Sequence, residues 1–196
     1  MVNPTEILHF WLQELEPKDW YQATDALDRT CADRFGASLT ALNAGQLEHW
    51  RTRPDGALAY ILLADQLSRN IHRNQAAAFA TDARARIAVG QAIRRGWDLS
   101  FPEPERQFFY LPLEHSESLQ HQSRAVRLIQ TRMPEDGAQT LLHARAHRDV
   151  IRRFGRFPGR NVALGRNSSP AEIEFIENHG YATVLKELAP KQGLAA

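Results

Sequence analysis

The chain has 196 residues, 24 basic against 23 acidic side chains, and a formal net charge of +1. That length suits one domain, and 43% hydrophobic with 24% charged residues is a globular composition that excludes disordered and low-complexity classes. No apolar run approaches the ~18–20 residues that span a bilayer, the N-terminus lacks the pattern of a signal peptide, and the lone Cys31 excludes an internal disulfide or a cysteine-based zinc cluster.

Asn3, Pro4 and Glu6 supply a cap, an N1 proline and an N3 acid, after which Ile7, Leu8, Trp11, Leu12 and Leu15 follow helical spacing as far as Pro17. A second helix carries Leu27, Cys31 and Phe35 and is expected to stop at Gly36, with a short helix near Leu39–Trp50 behind it. Pro54, Asp55 and Gly56 form a turn before a helix from Ala57 to about Asn70, and an alanine-rich helix runs from about Ala76 to Arg95. Beyond a proline-containing loop, Ser116 is expected to cap a helix from Glu117 to Arg132. Another helix spans about Ala138 to Phe154 and ends at Gly155; Ser169, Pro170 and Glu172 open a last one, which Gly180 ends. No stretch alternates with period two. The expected fold is all-α, with about seven to nine helices in stacked antiparallel pairs and a single domain over residues 1–196, because no linker interrupts the pattern.

Three polar groups stand out. Asp65, Gln66, Arg69, Asn70 and Arg73 close one helix, and Asp65 with Arg69 share a face at i and i+4. Asp65 continues the stripe of Leu58, Ile61 and Leu62, so it should point inward, either as half of a buried ion pair or as the group that orients Arg69 toward a ligand. The second group is Glu114, His115, Ser116 and Glu117, just after Pro112 and at an expected helix start, where N–H groups favour anions. His115, Ser116 and Glu117 are the candidate catalytic residues, since an ordinary imidazole titrates at ~6.5 and serves as acid or base.

The third group is the densest. Of the 24 basic residues 21 are arginine, and seven lie between Arg145 and Arg166 with Asp149 as the one acid among them. Arg156, Arg160, Asn161 and Arg166 sit in a loop with Phe157, Pro158 and two glycines, which holds guanidinium forks in place for a carboxylate or phosphate or for the carbonyl ends of helices. His143 with His147, and Glu117 with His121, have i, i+4 spacing, but His143, His147, Ile151 and Phe154 trace one stripe and read as core histidines; no metal or cofactor is expected. A near-neutral chain without a recognition motif argues against nucleic acid as the partner.

The runs Leu8–Trp11, Asp65–Asn70, Ala78–Asp82, Phe109–Glu117 and Phe154–Asn161, with Leu164–Arg166, occur in that order across Ile7 to Phe175. Together they resemble the bacterial domain-of-unknown-function family 924. The resemblance implies an all-α fold similar to tetratricopeptide-repeat proteins and carries no established activity. Its motif positions fall on Asp65, Gln66, Arg69, Asn70, Arg73, His115, Ser116, Glu117, Gln122, His147, Arg153, Arg156, Arg160, Asn161 and Arg166; Ser68 and Gly159 stand where the family usually has proline and histidine. The expected function is a cytoplasmic pocket for a small anionic molecule, with the three groups converging on one cleft. The alternative is a helical-repeat module that grips an acidic peptide.

Overall fold

The computed structural model describes residues 2–22 and 24–189, and among them all regular structure is helical. Two compact units divide the chain, Met1–Pro112 and Leu113–Ala196. The division falls inside the run Tyr110–Glu114, where no glycine, serine or charge cluster marks it.

The first unit begins with α1, Pro4–His9, whose expected capping box forms: the Asn3 side chain accepts from the Glu6 N–H and Glu6 reaches back to the Asn3 N–H. A π-helical turn, Phe10–Glu14, continues it. Helix α2, Asp25–Asn43, does not stop at Gly36 as expected. Cys31, Phe35, Leu39 and Leu42 form one buried stripe across that glycine, so packing holds the helix together, and the short helix expected near Leu39–Trp50 is replaced by the end of α2 and a 3₁₀ turn, Glu48–Thr52. Helix α3, Pro54–Ile61, runs into a π-helical turn, Leu62–Leu67, and a final turn, Ser68–Ile71. The alanine-rich segment splits into a 3₁₀ turn, Ala76–Phe79, and helix α4, Asp82–Arg94, followed by Gly96 at φ 70°. Helix α3 packs against α1 and α4, and the Ser68–Ile71 turn packs against α2. Trp11, Tyr60, Phe35, Phe108 and Phe109 fill the core, with Phe108 edge-on to Trp11 and Trp20.

In the second unit, α5, Leu119–Arg132, and α6, Ala138–Phe154, pack along each other, and the short connector between them makes the pair antiparallel. Helix α5 starts later than expected and Ser118 rather than Ser116 occupies its N-cap. Gly155 ends α6 with φ 71°, as its position predicts. Helix α7, Pro170–Glu177, has the capping box read from Ser169 and Glu172. Gly180 opens a further helix instead of closing α7: His179 takes the left-handed turn at φ 61°, and α8, Gly180–Leu188, follows. Helix α8 packs on α6 because its Tyr181, Val184 and Leu185 share a face and meet Ala146, Val150, Phe154, Phe157 and Phe175.

Candidate functional site

In the first unit the Asp65 group is tied together by its own charges. Asp65 is 1% exposed and lies 3.1 Å from an Arg69 guanidinium nitrogen, the inward i, i+4 pair expected from the stripe. Arg69 also binds Asp82 at 3.0 Å, and Gln66 donates to the Asp65 carboxylate at 2.6 Å. One turn on, Arg73 and Asn70 both donate to Asp28 of α2, at 2.7 and 2.9 Å. The Arg73 guanidinium, helped by Asn70 and opposed by burial, holds the Asp28 carboxyl below its ordinary pKa.

The second unit gathers the other two groups. Glu114 is wholly buried, and its carboxylate lies 3.4 Å from Nδ1 of His147 on α6. The His147 ring stacks on Tyr181 of α8 at 4.9 Å between centroids, lies edge-on to Phe157 at 5.5 Å, and is 6.1 Å from the His115 ring. The Arg160 guanidinium covers the other part of this chain of rings, 4.4 Å above the centre of Phe157. His115, His147, Phe157 and Arg160 are therefore contiguous, although they span 46 positions of sequence.

Tyr181 places its hydroxyl 2.7 Å from His143 Nδ1. Burial, and then the charge of Glu114, push the Tyr181 phenol above its ordinary pKa; burial and the neighbouring His147 push His143 below that of a free imidazole. Sequence reasoning missed Tyr181 because it ended the last helix at Gly180. The i, i+3, i+4, i+7 series Tyr181, Val184, Leu185, Leu188 is the signal that finds it.

Glu117 joins the two segments. Its carboxylate accepts both arms of the Arg166 fork at 2.8 and 2.9 Å and the Phe157 N–H at 3.0 Å. Burial works against ionisation there, but Arg166 and that N–H prevail and hold the pKa below its usual value. Arg156 makes the same bidentate fork to Glu172, at 2.6 and 2.7 Å, and donates to the Asn167 carbonyl at 2.8 Å. The Arg156 guanidinium and the Ser169 N–H lower the Glu172 carboxyl to about 2. Arg153 pairs with Asp149 and Glu187. Arg156 and Arg166 thus close the loop on carboxylates of their own unit. Asn161 is buried and donates to Ser168 at 3.0 Å. A side chain at Gly159 would enter open space.

Ser116 does not cap the first turn of α5. Its hydroxyl oxygen accepts the Ser118 N–H at 3.3 Å and lies 2.8 Å from His121 Nδ1. Gln122, wholly buried, clamps the segment by donating to the carbonyls of Glu114 and Ser116, the latter at 2.7 Å. His121 and Gln122 both sit in the first turn of α5, which is why one helix start fixes this whole segment. Among the described residues no group of three His, Cys, Asp or Glu side chains is arranged to hold a metal ion. Among the same residues, no helix is long and apolar enough to cross a membrane.

Comparison with known proteins agrees with the motif pattern. Residues 7–180 match the family described as bacterial protein of unknown function (DUF924). A solved structure titled as a protein of unknown function from Agrobacterium tumefaciens is similar at 39% identity and a TM-score of 0.83, over 89% of this chain and 97% of that one. No curated protein matches.

Proposed function

The chain belongs to the DUF924 family of bacterial proteins of unknown function, and from that premise we propose that its second unit binds a small anionic molecule, with His115 as its acid or base. The observation that carries this reading is the contiguous series His115, His147, Phe157 and Arg160 above the buried Glu114. The buried Glu114 carboxylate fixes the orientation of the His147 ring, and His147 in turn packs against His115, the group that would move the proton. Arg160, its guanidinium 4.4 Å over the Phe157 ring, is the residue type whose planar fork suits carboxylate or phosphate. Arg156, Arg166, Gln122 and Asn161 serve as supports, holding the loop and the Glu114–Glu117 segment in register. Asp65, Gln66, Arg69, Asn70 and Arg73 belong to the first unit.

The test is a thermal-shift titration with phosphate, sulfate and dicarboxylates. A ligand at ~100 times its Kd adds about 2.7 kcal/mol to the native state, a shift of several degrees in a domain of this size. Arg160→Lys keeps the charge and loses the fork, so it should weaken the shift; His115→Ala should reduce it as well. No anion-dependent shift across the panel would overturn the reading and favour the acidic-peptide module.

A further inference from the structure

The hydroxyl of Ser116 is the one hydroxyl in the polar segment Glu114–Glu117, and three features set it apart from an ordinary surface serine. It is 5% exposed, so its rotamer is held by its surroundings. Its backbone is clamped, because the Gln122 amide binds the Ser116 carbonyl and Glu117, the next residue, is locked by the Arg166 fork. Its oxygen lies at hydrogen-bond distance, 2.8 Å, from a half-buried imidazole, that of His121. The contact with His121 satisfies no helix N–H, since the N–H that Ser116 accepts is that of Ser118, at the N-cap. Local capping accounts for the bond to Ser118; the one to His121 ties Ser116 to the first turn of α5 and, in doing so, sets an imidazole nitrogen against its hydroxyl.

We propose that Ser116 and His121 form a nucleophile–base pair that accepts an acyl group from an ester bearing an anionic group; the anionic part of this substrate class rests on the anion-site reading above, the nucleophile does not. In the tautomer that carries its proton on Nε2, His121 accepts the Ser116 hydroxyl proton at Nδ1. Oγ then bonds to the acyl carbon, the ester C–O bond breaks, and the alcohol leaves with the proton returned by His121. Water, deprotonated by the same imidazole, cleaves the acyl-serine to the free acid and restores the hydroxyl. The anionic group of the ester would be held by Arg160.

The experiment uses two probes with no anionic group, p-nitrophenyl acetate and an alkyl fluorophosphonate, on the full chain. Expected are a single adduct per chain by intact mass, mapped to Ser116, and its absence in Ser116→Ala. His121→Gln, which retains a side chain able to bond the Ser116 hydroxyl, should slow labelling by ~10²-fold or more, the range of general-base catalysis. Circular dichroism of both variants establishes that the fold is retained. Should the alanine variant unfold, Ser116→Cys provides the second readout: iodoacetamide should alkylate it faster alone than in combination with His121→Gln. No adduct at Ser116, or labelling at an unchanged rate in His121→Gln, overturns the proposal. Acylation without any anion-dependent thermal shift would remove the anion site alone; a thermal shift without acylation would remove the nucleophile alone.

Discussion

Cys31 illustrates how far one side chain's chemistry is set by its neighbours. It has no exposed surface, lies on the buried stripe of α2 with Phe35, and is one turn from Asp28. Burial first, and then the Asp28 charge, push its thiol up to about 12. A thiolate is the reactive form, so Cys31 should be inert in the folded protein. Ellman's reagent at pH 8 should find no thiol in native protein and one per chain in guanidinium; rapid reaction of the native chain would show that α2 is not packed as described. At the same scale, Glu114 and Glu172 are both buried acids, yet a reader of the sequence sees Glu172 only as an N3 capping acid. That it also receives the Arg156 fork is invisible locally, because the two are 16 positions apart.

The elements whose boundaries were legible are those with local causes. The capping boxes at Asn3 and Ser169 and the left-handed Gly155 depend on residues within one turn, and all three form where the sequence places them. The π-helical turn Leu62–Leu67 has no such cue. It is embedded where the Ala64 carbonyl accepts hydroxyls from both Ser68, at 2.9 Å, and Thr81, which precedes α4. The Ser68 oxygen also lies 3.2 Å from the Ala78 carbonyl, so its single proton is shared between the two carbonyls, and the serine and threonine hydroxyls together knit α3 to the turn before α4. Thr81 is buried, and Thr81→Val preserves its shape while removing the donor. The substitution should cost about 0.5–1.5 kcal/mol in urea unfolding with an unchanged m value, since Ser68 still reaches the Ala64 carbonyl. A neutral result would mean that the Ala64 carbonyl is satisfied without Thr81.

For the molecule as a whole, stability should fall in acid. Glu14, Asp28, Glu117 and Glu172 all have pKa values lowered in the folded state by arginine partners, with Glu14 and Glu172 at about 2. A carboxyl lowered in this way binds fewer protons folded than unfolded. Its contribution is complete above the unfolded value of ~4.3 and drains away as pH falls toward the folded one. The melting temperature should therefore ease down below about pH 6.5, where the lowered His143 binds fewer protons folded than unfolded, and decline further between about 4.5 and 2 as the carboxylates protonate. Glu172→Gln should start lower at pH 7 and lose less on acidification. An equal slope in wild type and variant would show that the Arg156–Glu172 fork does not contribute to folding.

Several properties follow from the order of residues alone: the helical class, the places of α1, α6 and the start of α7, the inward turn of Asp65, and the membership of His115, Ser116 and Glu117 in one polar segment. Each rests on spacing within a few residues, where 3.6-residue periodicity and capping stereochemistry act without reference to the rest of the chain. Only the tertiary structure decides which arginine meets which acid. Seven arginines follow one another between Arg145 and Arg166, and nothing in that run distinguishes Arg156 and Arg166, which close on Glu172 and Glu117, from Arg160, which lies on Phe157. Nor does it predict that Ser116 turns from its expected helix N–H to His121, or that Tyr181 joins His147 over Glu114. Those choices depend on how α5, α6 and α8 pack, since a side chain several ångströms long selects its partner from whatever the neighbouring helix presents.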